Sequence, residues 1–249
     1  MSSFPVLKGR EAILAAYRAE PFVSCFLADN AEGVVRDDAV AWFREFNGRS
    51  VLMGDGPVRA TARLVAELAP HWRPDRLTVP QEVFEQLPGE LRSAKPGRWH
   101  WFFTRSAPPT HPAESRVRWC TESDFDAITA LLDVAFPDAS SRPDPAVPHR
   151  RWFGATDANG SIVACGIAQV GDGIGPMLGS IAVHPDARRQ GLGSAITSWV
   201  TRRLLDEGNA MVALGSYAGE EATHRIYRRL GYRDTRVLAS GRLEPSPAH

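Results

Sequence analysis

The chain has 249 residues, enough for about two domains of ordinary size and a sizeable core. Lys and Arg number 29, as do Asp and Glu. That zero balance argues against a general nucleic-acid or anionic-membrane binder, which carries a basic excess. No stretch approaches the ~18 consecutive apolar residues of a membrane span, and the first residues lack the basic and apolar regions of a signal peptide. Cys25, Cys120 and Cys165 are widely spaced with no Cys-x-x-Cys, so they read as small hydrophobes of a reducing, cytoplasmic protein.

In chain order, residues 9–19 have helical spacing (Ile13, Leu14, Ala16, Tyr17). Residues 22–27 form a short apolar run that periodicity leaves open between helix and strand. Asp37 to Phe46 reads as a helix ended by Gly48, and 49–53 as a strand turning at Gly54-Asp55-Gly56-Pro57. A helix follows from Pro57 to about residue 69, with proline suited to its first position. A strand at 76–79, a helix at 81–87 and an aromatic strand at 99–104 complete this half.

Ala107 to Ser115 contains Pro108, Pro109 and Pro112 and is the best linker in the chain. The expected division is a domain at 1–106, a linker at 107–115 and a domain at 116–249. Beyond the linker come a strand at 117–120, a helix started by Thr121 or Ser123 and running to Ala135, and a proline-rich loop at 137–148. Two strands then pair around Asp157-Ala158-Asn159-Gly160. The Gly171–Gly175 stretch lies between strand-like runs and reads as a hairpin rather than a nucleotide loop. A strand at 181–183, a helix from Leu192, a strand at 211–214, a helix at 220–230 and a strand at 235–243 follow. The whole reads as an α/β (α+β) layer fold.

The stretch from Ser180 to Thr197 organises the rest. Ile181-Ala182-Val183 is an apolar strand stopped by His184-Pro185, because proline lacks a ladder donor and restricts its predecessor. Arg188-Arg189-Gln190-Gly191-Leu192-Gly193 then leads into a helix with apolar positions at Leu192, Ala195, Ile196, Val200 and Leu204. Strand, glycine loop and helix start in that order make an anion site, where unpaired N–H groups converge and the helix dipole adds positive charge. The expected ligand is a pyrophosphate.

This loop fits Arg/Gln-x-x-Gly-x-Gly/Ala. A second segment, Ile226-Tyr227-Arg228-Arg229-Leu230-Gly231-Tyr232, is close to Leu-Tyr-x-x-x-Gly-Phe. On these two motifs, residues 116–243 resemble the GNAT superfamily of acyl-CoA-dependent N-acyltransferases. The resemblance implies a mixed, mostly antiparallel sheet flanked by helices, with acetyl-CoA as co-substrate and no metal. It implies that the central strand splays from its neighbour and that Ile181, Ala182 and Val183 hold the pantetheine arm. Amides from Arg189 through Gln190, Gly191, Leu192 and Gly193 to Ser194 would bind the pyrophosphate, aided by the Arg188 and Arg189 charges. Tyr227 would act as general acid towards the departing thiolate.

Two departures from the family pattern stand out. Glu220 replaces an Asn common seven residues before the tyrosine. Gly215 stands where N-terminal protein acetyltransferases of this fold often carry a glutamate base. The base is therefore open: His184, Ser180, Asp172 and Glu221 are candidates, as is a water chain, while Cys165 reads as core rather than as an acyl-enzyme nucleophile. Residues 1–106 loosely mirror the second half without its phosphate loop. They are expected to be a degenerate second copy of the fold, or an unrelated α/β cap. The function expected is acetyl transfer to a small-molecule primary amine, with no nucleic-acid or membrane partner and a homodimer left open. The competitors are a non-catalytic acyl-CoA sensor and, less favoured because no Lys-Ser/Thr follows the glycines, a nucleotide-binding module.

Overall fold

A computed structural model of the chain describes residues 4–18, 21–46, 49–147, 149–171 and 174–243. The first half runs β1 (Leu7–Lys8), α1 (Arg10–Ala16), α2 (Pro21–Phe26), β2 (Glu32–Arg36), β3 (Ala39–Phe46), β4 (Arg49–Asp55), α3 (Val58–Trp72), β5 (Arg76–Pro80), α4 (Gln81–Gln86) and β6 (Gly97–Thr104). The second continues with β7 (Val117–Trp119), α5 (Phe125–Ala135), β8 (Arg150–Thr156), β9 (Ile162–Gly171), β10 (Ile174–Val183), α6 (Leu192–Asp206), β11 (Val212–Tyr217), α7 (Glu221–Arg229) and β12 (Arg233–Arg242).

All of these strands join one sheet in the order β1-β2-β3-β4-β5-β12-β6-β11-β10-β9-β8-β7. The β4/β5 and β10/β11 pairings are parallel and the others antiparallel. The order β-β-β-α-β-α-β occurs twice, as β2 to β6 and as β8 to β12. The two closing strands trade places: β6 lies against β11, and β12 against β5. The sheet therefore runs unbroken past the proline-rich segment at 107–115.

Alternation along the strands assigns the two faces. On one side, α1 and α2 cover Trp42, Met53, Trp101 and Leu238, and α5 covers Trp152, Cys165 and Ile167. On the other, α3 and α4 pack on Leu52, Leu77 and Ala239, while α6 and α7 pack on Phe102, Leu178 and Leu214. Helix α6 buries the expected positions, with Leu192, Ala195, Ile196, Val200 and Leu204 all at 0–1% exposure.

One element differs from expectation. Residues 39–46 are a strand, β3, because Asp37 and Asp38 both take positive φ (51° and 59°) and form a two-residue hairpin loop with β2. Ala39, Val40, Ala41 and Trp42 are buried on both faces, so no polar alternation betrays the strand. The open run at 22–27 is helical. Gly48 lies outside the described residues, as do Asp172 and Gly173 of the second glycine turn, whose flanking Gly171 and Ile174 pair across β9 and β10.

Candidate active site

The site begins where the sheet comes apart. β10 pairs with β11 only at Met177–Ala213 and Leu178–Leu214, so Gly179 to Val183 run on with no partner strand on that side. A bulge between Gly179 and Ala182 bends β10 on its β9 side. Its pivot is Ser180, a non-glycine residue at φ 47° and 4% exposed. The Ser180 hydroxyl donates to the Ser141 carbonyl at 2.9 Å and accepts from the Ser141 amide at 3.2 Å. Ser180 is thus a structural clasp holding the 137–148 loop against the strand, and its committed hydroxyl is no base.

Along this seam opens a cavity of about 1610 Å³. A pocket for one small ligand is typically ~300–1,000 Å³, so there is room for two. At one end stand Ile181, Ala182 and Val183, the loop residues Arg188, Arg189, Gly191, Gly193 and Ser194, and Tyr227. Phe26, Trp99, Phe136 and Met177 line the part beyond.

The loop is built from two left-handed residues, Arg189 at φ 61° and Gly191 at φ 75°. A Cβ on Gly191 would lie 2.6 Å from the His111 ring, so both conformation and space require glycine. At Gly193 a Cβ would meet nothing nearer than Val183 Cγ2 at 3.8 Å. The protein's own packing does not require that second glycine. Helix α6 starts with Gly191 as N-cap, no side-chain cap and no acidic residue in its first turn, which leaves its first N–H groups open towards the cavity. Arg188 Nε reaches back to the Val183 carbonyl at 3.4 Å.

Leu192 also lines the cavity, while its side chain is buried under α6 at 1% exposure. Gln190 lines a separate cavity of about 420 Å³ together with His184. His184, whose Nδ1 accepts from the Asp186 amide at 3.3 Å, is therefore away from the main site and unsuited as its base. Glu221 is exposed and faces His224 and Arg228 at 3.5 and 3.8 Å.

Tyr227 is 5% exposed, with its ring against Phe102 and Tyr232 (centroids 5.6 and 6.1 Å). Burial, and secondarily the Glu220 charge, raise its pKa well above the usual phenol range. Its proton is therefore firmly held at neutral pH. Glu220, the departure noted in the sequence, is the one carboxylate lining the cavity among the described residues. It does not cap α7 with its side chain; instead its Oε2 accepts from Thr223 Oγ1 at 3.1 Å. At Gly215 a Cβ would lie 3.0 Å from Trp99 Cε3, so the indole occupies the space that a glutamate would need there.

Sequence reasoning missed the far wall. Arg44, Arg49, Arg76, Lys95 and Arg242 line the cavity at that end. They are scattered through the chain, and only the strand register brings them together. No group of three or more His, Cys, Asp or Glu side chains among the described residues is placed to hold a metal, and none of the described helices is long and apolar enough to cross a membrane.

Residues 148–234 match the model of the acetyltransferase (GNAT) domain. No curated protein gives a significant match. Among solved structures, the chain is similar to a Drosophila melanogaster protein at TM-score 0.60 and 13% identity, covering 87% of this chain and 79% of that one. It is also similar to a GCN5-related N-acetyltransferase from Sphaerobacter thermophilus (TM-score 0.53, 19% identity, 94% and 86% covered). An acetyltransferase of the GNAT family from Colwellia psychrerythraea gives 0.54 and 10% identity over 97% and 100%. At these identities the structures speak for the fold alone. Acetyltransferases of this family use acetyl-CoA as co-substrate, and the domain match favours catalysis over a non-catalytic sensor. The split strand, the open helix start and the domain match identify residues 148–234 as a GNAT acetyltransferase domain.

Proposed function

We propose that the protein is an acetyl-CoA-dependent N-acetyltransferase that moves the acetyl group to a primary amine by direct attack. The observation that carries this reading is the opening of β10 from β11 beside an uncapped helix start, both within one cavity. Ile181, Ala182 and Val183 would hold the pantetheine arm, and the Arg189–Ser194 amides with the Arg188 and Arg189 charges the pyrophosphate. The glycine at 193, with its unfilled space, supports this: helical Gly costs ~1 kcal/mol relative to Ala, a cost that close approach of an anion explains.

In the reaction the ammonium first gives up one proton, the amine nitrogen bonds to the acetyl carbon and loses a second, the carbon–sulfur bond breaks, and the sulfur takes up one proton while the other passes to solvent. Tyr227 supplies the donor. Its raised pKa lies above that of a thiol, so complete transfer to sulfur runs uphill by ~1.4 kcal/mol for each unit of mismatch. We therefore assign it a hydrogen bond to the departing sulfur that strengthens as negative charge develops there. Glu220 takes the amine side, attracting the ammonium and accepting its proton directly or through water.

The first half we read as a second copy of the layout that has lost its phosphate loop. At the matching turn, a Cβ on Gly56 would lie 2.6 Å from the Asp38 carbonyl, and the Asp55 carboxylate is buried and ion-paired to Arg236 at 2.8 Å. A carboxylate there repels an anion. Three free thiols suit the cytoplasm.

A thermal-shift titration with CoA, acetyl-CoA, ATP and NAD tests the donor, followed by CoA-thiol release across a panel of primary amines. Ligand at a hundred times its Kd stabilises by ~2.7 kcal/mol, about 5–10 °C for a chain of this size. Stabilisation by ATP or NAD and none by CoA would overturn the reading.

A further inference from the structure

The cavity is charged at one end in a way the transfer of an acetyl group does not need. Strand register places Arg44 opposite Val51, Val51 opposite Arg76, and Arg76 opposite Arg242, a row across β3, β4, β5 and β12. Arg49, two residues before Val51, shares its face. This is the face of Trp99 and Met177, because Leu77 and Ala239 point to the α3/α4 side. Like charges directly opposite across a strand pair destabilise it. None of Arg49, Arg76 and Arg242 forms an ion pair among the described residues. Burial and then the charges of Arg49 and Arg242 lower the Arg76 pKa. Arg44 is 6% exposed, and burial lowers it to about 10. The nearest acid in sequence, Asp75, forms no ion pair with these arginines and accepts from the Ser50 amide and hydroxyl, both at 2.8 Å, with the Arg49 charge a minor influence on it. In a chain with as many acids as bases, no carboxylate among the described residues lines this wall. It also lies apart from the phosphate loop: β5 is three strand positions from β11, ~14 Å across the sheet.

We infer that the amine acceptor is an elongated molecule bearing a multiply charged anion, a phosphate or paired carboxylates, remote from its amino group and held by Arg76, Arg242 and Arg49. Guanidinium forks match either anion bidentately. The amine end then lies at Glu220 and Tyr227, and the anionic end at the arginine row. This rests on the acetyltransferase reading for the amine, but not for the anion.

The test uses the full chain with CoA at saturation, so that the 188–194 loop is filled. Inorganic pyrophosphate and, separately, citrate are titrated by calorimetry into wild type, Arg76→Gln/Arg242→Gln, and Arg63→Gln, an exposed control outside the cavity. Wild type and control should bind one anion, and the double variant at least tenfold more weakly. Arg49→Gln repeats the measurement with a milder change. In the second arm, matched alkylamines ending in phosphate, carboxylate or neutral amide are offered with acetyl-CoA. The anionic ends should raise kcat/KM at least tenfold, the advantage should vanish in the double variant, and the KM for acetyl-CoA should not move. The preference between phosphate and carboxylate names the source of the charge. Equal anion binding by all variants, equal turnover of the amide-ended amine, or a raised KM for acetyl-CoA in the double variant would overturn the inference. If CoA fails to bind, the donor reading falls, and the same anion titration without CoA still decides the arginine row.

Discussion

Gly193→Ala separates what the loop does for the protein from what it does for a ligand. The residue is the second of α6, and a Cβ there has 3.8 Å to its nearest neighbour, ordinary van der Waals contact. Nothing in the chain has to move. Alanine is favoured over glycine in a helix by ~0.5–1 kcal/mol, partly by restricting the unfolded chain. For a chain of this size that raises Tm by about 1–4 °C. The same methyl stands at the cavity edge, where the amides should approach a pyrophosphate. Keeping the anion even a little further away should weaken CoA binding about tenfold or more, ~1.4 kcal/mol. Melting curves with and without CoA, together with the KM for acetyl-CoA, measure both effects. A more stable variant with unchanged CoA affinity would refute the assignment of the glycine to the ligand, and a less stable one would refute the helix geometry.

Gly191→Ala should instead lose on both counts. A left-handed alanine costs ~1–2 kcal/mol and the His111 ring must shift, so Tm falls by at least about 2 °C and CoA binding is lost in the same titration. Tyr227→Phe should lower kcat by about a hundredfold, the low end for proton donors because its raised pKa disfavours full transfer, with little change in the KM for acetyl-CoA. Asp124 is held to about 2, chiefly by the bidentate Arg118 at 2.8 Å, below its ordinary 3.8. Its contribution is present above pH ~4 and lost as pH falls towards 2, so urea unfolding of Asp124→Asn should show a flatter acid limb between those values. Burial raises the thiols of Cys25 and Cys165 to about 12 and that of Cys120 to about 11, so a thiol-disulfide reagent at pH 8 should label none of them until the protein unfolds.

The glycine loop at 188–194 and the helix behind it were legible because local chemistry dictates them. Glycines at 191 and 193 and the 3.6-residue period from Leu192 need no distant partner. The strand at 39–46 was hidden because its register comes from a hairpin loop of two aspartates rather than Asn-Gly, and because both of its faces are covered. Tyr227 could be named from its motif, but not the burial that decides what its proton can do. The arginine wall could not be read at all. Arg44, Arg76 and Arg242 lie on β3, β5 and β12, and β12 reaches β5 only because the closing strands are exchanged. Imidazole chemistry makes His184 a candidate base, and only the turn after β10 sets it in the separate cavity with Gln190.

That exchange also sets a timetable for the ribosome. When β5 and β6 emerge, the strand that belongs between them, β12, has not been made, and neither has β11, the other neighbour of β6. At ~5–20 residues per second the wait is on the order of ten seconds. Meanwhile Trp99, Trp101 and Phe103 sit on a strand with two bare edges, an invitation to aggregation that a chaperone would have to manage.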